Sequence, residues 1–272
     1  MVEKTNICQH NPVEISVMCV GARGERMNVI LLGTGVGIPQ ADRAQSSLLI
    51  RDEDVLLIDC GAGAILRLGE IGMSPLEIDT VLLTHLHLDH VADLLPLAKA
   101  RYLLGEPWLN IWGPVGTEEL MRSLQSLYPY LRSIKLDVTE ISAGCRFEIC
   151  GFGVSSASAI HSVPALCYRI EGSRTVTCSG DTEPAASVSE LASGSDLLVH
   201  ECSFPDGFEV TNHTTPAALG RIVSDVGEII LTHFYPQCRG LEEDMARTVE
   251  QLSGIRTRAG MDLMSIYASA GK

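Results

Sequence analysis

The sequence predicts a layered α/β protein built on one core. Segments that read as strands and as helices alternate at both ends of the chain, and the stretch from Ile134 to Cys178 between them is β-rich. No repeat, low-complexity tract or long linker divides the 272 residues, a length ample for a single large core. With 46% hydrophobic and 20% charged residues, the composition is that of a globular chain rather than a disordered one.

Met27 is a second plausible start. From it, MNVILLGTGVGIP reads as a strand running into a Gly-rich loop, which makes residues 1–26 an extension with Val13–Val20 as a possible extra strand and 27–272 one domain. Strands are expected at Ser47–Ile50 and Val55–Asp59, parted by the polar turn Arg51-Asp52-Glu53-Asp54. After Cys60-Gly61-Ala62-Gly63 a helix runs to Gly69 or Gly72. Val81–Thr84 is a strand, Val91–Leu104 a helix, Leu109–Trp112 a strand stopped by Gly113-Pro114, and Thr117–Leu127 a helix. Five short strands follow: Lys135–Thr139, Arg146–Ile149, Val154–Ala159, Ala165–Ile170 and Thr175–Cys178. The rest reads as helix Val188–Leu191, strand Asp196–His200, helix Pro216–Val226 (Thr215 as N-cap), strand Ile229–Thr232, helix Glu242–Leu252 and one short terminal strand.

There are 34 acidic and 20 basic side chains, and the net charge of −14 opposes general affinity for nucleic acid or anionic membrane, though a local site can overrule it. No run of about 18 apolar residues exists to span a membrane. The N-terminus lacks the pattern of a secretory signal. Nine scattered cysteines without a CxxC pair predict reduced, buried thiols and a cytoplasmic protein. Cys60, Cys178 and Cys202 are read as small buried hydrophobes, and Gly33 and Gly35 as a tight turn rather than a phosphate cradle.

The strongest chemical signal is Thr84-His85-Leu86-His87-Leu88-Asp89-His90 at the end of an apolar strand. Alternation lets His85 and His87 point one way, and the following turn presents Asp89 and His90 to a neighbouring position. Four nitrogen and oxygen ligands in six residues suit Zn, or Mn or Fe, better than Mg or Ca. The competing reading is a polar loop capping the next helix. His161, Asp181 and His233 each follow a predicted strand as well. Together with the first cluster they supply two metal ions with three histidines or carboxylates each, Asp181 bridging.

The His-x-His-x-Asp-His run, His161, Ser179-Gly180-Asp181-Thr182 and Thr232-His233 resemble the metallo-β-lactamase superfamily. Within it the chain is most similar to the ribonuclease Z branch, from Met27 to the C-terminus. The branch is matched by Leu32-Gly33-Thr34-Gly35 with Pro39, Arg43 and Ser47, by Leu57-Ile58-Asp59-Cys60-Gly61, and by Trp112-Gly113-Pro114. It is matched further by His200-Glu201-Cys202-Ser203-Phe204 and by Asn212-His213-Thr214-Thr215. The resemblance implies an αββα sandwich of two face-to-face sheets with helices outside. It implies one metal held by His85, His87 and His161, a second by Asp89, His90 and His233, and Asp181 between them. Homodimers are frequent among the resembling proteins.

Ribonuclease Z proteins generally insert a tRNA-gripping arm between the residues matching His161 and Asp181. Here only twenty positions separate these two, room for two strands and a turn. The chain also has Gly61-Ala62-Gly63-Ala64 where that branch typically has Gly-Glu-Gly-Thr, His-Leu-Asp-His for His-Gly-Asp-His, and no Lys/Arg-rich patch. The expected function is therefore a dinuclear-metal phosphodiesterase acting on a small diester, with a tRNA precursor as the runner-up substrate. A hydroxide between the metals, oriented by Asp89, is expected to attack phosphorus in line with the leaving oxygen. His213 is expected to protonate or stabilise that oxygen, with Glu201 orienting its imidazole and His200 as the competing inward residue. Asp59 is expected to orient a metal-binding imidazole. A glyoxalase II-type thioesterase would need a C-terminal helical domain that the 39 residues after His233 cannot form. The non-enzyme alternative, a catalytically silent metal-bearing protein, is disfavoured by the filling of all seven ligand positions.

Overall fold

The run Val29–Leu32 has no polar face, so a strand there has to be covered on both sides. In the structure, a computed structural model that describes residues 27–267, this run is β1 (Asn28–Gly33), buried from Val29 onward. The first half of the chain continues through β2 (Ser47–Arg51), β3 (Val55–Ile58), α1 (Ala64–Glu70), β4 (Thr80–Leu82), α2 (Leu88–Val91), α3 (Leu94–Leu103), β5 (Trp108–Gly113), α4 (Thr117–Leu127) and β6 (Lys135–Glu140). The second half contains β7 (Arg146–Ile149), β8 (Phe152–Ser158), β9 (Leu166–Glu171), β10 (Thr175–Cys178), α5 (Ala186–Ala192), β11 (Ser195–Glu201), α6 (Pro216–Ile222), β12 (Val226–Thr232), α7 (Glu242–Ser253), β13 (Thr257–Ala259) and β14 (Met264–Tyr267).

These strands form two seven-stranded sheets, ordered β14-β1-β2-β3-β4-β5-β6 and β13-β12-β11-β10-β9-β8-β7. Each sheet is antiparallel through four strands and parallel through the rest, with β3-β4-β5-β6 and β10-β11-β12-β13 as the parallel parts. Leu31, Ile50 and Ile58 of the first sheet meet Phe152, Tyr168 and Ile230 of the second in the central core. A second cluster packs α1, α3 and α4 on the outside of the first sheet. A third packs α6 and α7 on the outside of the second sheet, and a small fourth one holds α5. The expected sandwich of two mixed sheets flanked by helices is the observed architecture.

The helix expected over Val91–Leu104 is broken into α2 and α3. Asp93, at the break, accepts hydrogen bonds from the Gly63 and Ile65 amides (3.0 and 3.2 Å), and its own amide donates to Cys60 O at 2.9 Å, so the start of α1 competes for it. The helix expected to reach Val226 stops at Ile222, because Val226 is already registered against Ser195 in the sheet and Asp225 turns the chain at φ 55°. Thr215 occupies the N-cap of α6 without a side-chain capping bond. The single terminal strand is two, β13 and β14, one on each sheet. Cys60, Cys150, Cys167, Cys178, Cys202 and Cys238 are free and buried, whereas Cys145 is disulfide-bonded, a departure from the expectation of thiols alone. The possible strand Val13–Val20 lies outside the described residues. Among those residues no helix is long and apolar enough to cross a membrane.

Candidate metal centre

The chemistry-bearing side chains gather where strands end. β3 stops at Asp59, whose carboxylate accepts from the Thr84 amide and the Thr84 hydroxyl, both at 2.8 Å, and so fixes the chain leaving β4. His85 and His87 follow in that loop, and α2 places Asp89 and His90 one helical turn further on. The backbone passing from β3 to α1 runs directly beneath: a Cβ on Gly61 would stand 2.1 Å from Asp89 O. Gly33 is equally constrained, since its Cβ would lie 1.8 Å from Gln45 O, in keeping with the tight turn expected there. From the second sheet come His161 after β8, Asp181 after β10 and His233 after β12.

His85, His87, His161 and Asp181 form one group whose ligand atoms all lie within 4.8 Å of one another, and Asp89, His90 and His233 form another. In the first, His85 Nε2 and His161 Nε2 each stand 3.1 Å from His87 Nδ1, and 3.7 and 3.9 Å from Asp181 Oδ2. In the second, His233 Nε2 is 3.4 Å from both His90 Nε2 and Asp89 Oδ2. Asp181 reaches this group too, with Oδ1 at 3.4 Å from His90 Nε2 and Oδ2 at 3.3 Å from His233 Nε2. A tetrahedral ion with bonds near 2.0–2.1 Å sets its ligand atoms about 3.3 Å apart, so the donors already have the spacing of a coordination shell. Asp181 Oδ1 is buried with no hydrogen-bond partner among the described residues. A carboxylate oxygen left without a hydrogen in such a place calls for a cation. The donor set of imidazoles and carboxylates fits a divalent metal.

The other nitrogen of four of these imidazoles is held from outside. Thr84 Oγ1 lies 3.1 Å from His85 Nδ1, Asp59 Oδ2 2.7 Å from His90 Nδ1, Asn212 O 2.9 Å from His161 Nδ1, and Ser203 Oγ 3.0 Å from His233 Nδ1. Each partner leaves Nε2 free to face the ion. His87 is turned the other way, with Nδ1 inward and Nε2 3.4 Å from Ser162 Oγ. Of these supports, sequence reasoning singled out only Asp59. Thr84 and Ser203 were visible as the polar residue before His85 and the serine of His-Glu-Cys-Ser-Phe; the Asn212 carbonyl carries no sequence signal.

Burial, then the charges of neighbouring histidines, push His85 down. Burial also opposes protonation of His90, but Asp181 and Asp59 outweigh it and raise that group. Burial alone would raise Asp181 and Asp89; the histidines beside them override it and hold both carboxyls below their ordinary range. The cluster thus carries ionised carboxylates.

His213 stands beside it. Its Nδ1 is 3.4 Å from Glu201 Oε1 and 3.2 Å from Ser203 Oγ, and Ser203 Oγ donates to Glu201 Oε2 at 2.7 Å. Burial disfavours its protonated form, but the Glu201 carboxylate more than compensates and raises the group. His200 is buried with Nδ1 2.6 Å from Glu201 O, so Glu201 is the neighbour that meets His213. His213 also forms a third group with Asp181 and His233 within the same 4.8 Å limit. A cavity of 510 Å³ opens over the centre, walled by Phe204, Phe208, Asn212 and Tyr235 and floored by Asp89 and Asp181.

The sequence model of the family described as Anti-Pycsar protein Apyc1 matches residues 27–251. A ribonuclease Z of Mycobacterium marinum (strain ATCC BAA-535 / M) is 30% identical over 279 residues, covering 90% of this chain and 99% of its own. The metallo-β-lactamase fold protein YhfI from Bacillus subtilis superposes with a TM-score of 0.79 at 25% identity, covering 89% of this chain and 99% of its own. The short form of human tRNase Z superposes with a TM-score of 0.71 at 22% identity, covering 89% of this chain and 100% of its own.

Proposed function

The chain belongs to the Anti-Pycsar protein Apyc1 family, in the ribonuclease Z-like branch of the metallo-β-lactamase superfamily, and is a metal-dependent hydrolase; on that premise we propose that it cleaves small phosphodiesters, cyclic ones included, at a pair of zinc ions. The observation that carries the substrate class is the span from His161 to Asp181, which contains only the hairpin β9–β10 and no arm. The 510 Å³ cavity is the size of a small-molecule site, and its aromatic wall suits a ligand larger than the bare phosphate group.

His85, His87 and His161 would hold one ion and Asp89, His90 and His233 the other, with Asp181 shared. When bound, such ions polarise phosphoryl oxygens and make water a nucleophile at neutral pH. The remaining chemistry belongs to the chain. The ionised Asp89 carboxylate, on the cavity floor, orients the attacking water and accepts its proton. His213, raised by Glu201, gives its Nε2 proton to the leaving oxygen, and Glu201 with Ser203 fixes the ring from the Nδ1 side. Asp59 holds His90 and the Thr84 backbone together, which preserves the spacing of the cluster. A homodimer is the expected assembly, to be read by light scattering.

The second reading, cleavage of a tRNA precursor, is favoured by the 30%-identical ribonuclease Z relative. The experiment is to offer the metal-loaded protein a 3′-extended precursor tRNA and a small chromogenic phosphodiester in one buffer. Hydrolysis of the diester beside intact tRNA supports the small-substrate reading; cutting at the discriminator base replaces it with tRNA processing.

A further inference from the structure

His213 has two faces. Glu201 and Ser203 occupy its Nδ1 side, and at its other nitrogen the only side-chain oxygen within hydrogen-bond reach among the described residues is the hydroxyl of Tyr235, 3.4 Å from Nε2. The Tyr235 ring is fixed by its surroundings. It stacks on Phe204 with centroids 4.4 Å apart and planes 28° off parallel, and its edge contact with His213 is 5.4 Å between centroids. Its amide donates to Ser203 O at 3.3 Å, which anchors its backbone to the strand end that also carries Glu201. Tyr235 lines the cavity together with Asp89 and Asp181. An oxygen placed to take a proton from His213 Nε2, about 2.8 Å away, can lie within hydrogen-bond reach of this hydroxyl as well.

We propose that Tyr235 is a catalytic residue of the hydrolase, whose hydroxyl donates a hydrogen bond to the leaving oxygen beside His213. The inference rests on the phosphodiesterase reading above. Water attacks phosphorus and loses a proton to Asp89; the bond from phosphorus to the leaving oxygen breaks with its electron pair on that oxygen. The oxygen takes the proton of His213 Nε2, and the products are a phosphomonoester and an alcohol. Asp89 and His213 return to their starting states by proton exchange through solvent. Tyr235 keeps its own proton throughout and stabilises the negative charge that gathers on the oxygen before the proton arrives. It follows that Tyr235 matters most for a basic alkoxide-like leaving group and least for a phenolate that departs unaided.

The test is Tyr235→Phe in metal-loaded protein, which removes the hydroxyl and keeps the stacked ring. A series of aryl methyl phosphates, from p-nitrophenyl to unsubstituted phenyl, varies only the leaving group. Expected for Tyr235→Phe are an unchanged metal content, an unchanged KM, and a kcat about tenfold lower for the phenyl ester but within about twofold of wild type for the p-nitrophenyl ester. In the His213→Ala background the same substitution is expected to cost more than it does alone, because the oxygen then leaves without a proton and its charge falls on the hydroxyl. Calorimetric affinity for a product monoester is expected to be unaltered. An equal loss of kcat across the series, or no loss at all, overturns the assignment to the leaving oxygen while leaving the phosphodiesterase reading intact. Wild-type protein of full metal content that hydrolyses none of these esters overturns both.

Discussion

His233 meets two demands at once: its Nε2 faces Asp89, His90 and Asp181, and its backbone sits in the left-handed region at φ 61°. A non-glycine residue holds such a conformation only where its surroundings enforce it. Here Phe234 N donates to Thr34 O at 2.9 Å, Gln40 Nε2 donates to Phe234 O at 2.8 Å, and the Arg43 guanidinium lies 4.7 Å over the Phe234 ring. Asp59 is similarly placed, at φ 56°. Side-chain identities thus pointed from the sequence to the residues that gather here, through the spacing of His85 to His90 and the recurrence of His or Asp after strands. What the sequence did not disclose is how they are held, since Asn212 and Thr34 act through their backbone carbonyls and Gln40 through a side chain that no motif singles out. Two substitutions separate binding from turnover. Asp181→Ala removes the carboxylate common to both ligand groups and is expected to lose bound metal and activity together. His213→Ala is expected to keep its metal, measured by atomic emission, while kcat falls by about 10²-fold or more; a full rate would remove His213 from the mechanism. Asp59→Ala is expected to weaken metal affinity by about 10–100-fold in a chelator competition.

At the scale of elements, the segment between β13 and β14 acts as a buckle. Asp262 accepts from Thr34 N (3.0 Å), Thr34 Oγ1 (2.8 Å), Ala44 N (2.6 Å) and both Arg67 Nε and Nη2 (3.2 and 2.9 Å), so one carboxylate joins the β1–β2 loop, α1 and the C-terminal strands. Arg43 adds bonds to Thr34 Oγ1, Gly260 O and Glu242. Periodicity placed α4 at its observed limits, Thr117–Leu127, because its apolar face and its flanking Gly and Tyr act locally. It missed the break between α2 and α3 because Asp93 is drawn away by the start of α1, a contact between residues about thirty apart in sequence. The same loop-under-loop crowding makes Gly61 indispensable. Gly61→Ala forces a methyl group against Asp89 O and is expected to lower Tm by about 5 °C or more and to weaken metal binding with it. An unchanged melting curve with full metal content would show that the metal loop yields to the extra carbon.

The whole molecule is two half-chains, each supplying a sheet, apart from β14, which crosses back to pair with β1. His85, His87, Asp89 and His90 come from the first half and His161, Asp181 and His233 from the second, so each ligand group spans both. An ion held there would tie the sheets together at one end of the sandwich and stabilise the folded form by its own occupancy. Stripping metal with a chelator is expected to lower Tm by several degrees, and restoring Zn to return it; identical Tm values would mean that the sandwich closes without help from the ions.

The division of ligands has a consequence for how the protein is made. A ribosome would deliver the four side chains of the first loop long before Asp181 and His233 emerge, so that one donor group is complete in sequence only at position 181 and the other only at 233. A chain cut short between positions 181 and 233 carries the donors of the first group but lacks one of the second. Occupancy of both groups at once would then mark a chain whose synthesis has passed position 233.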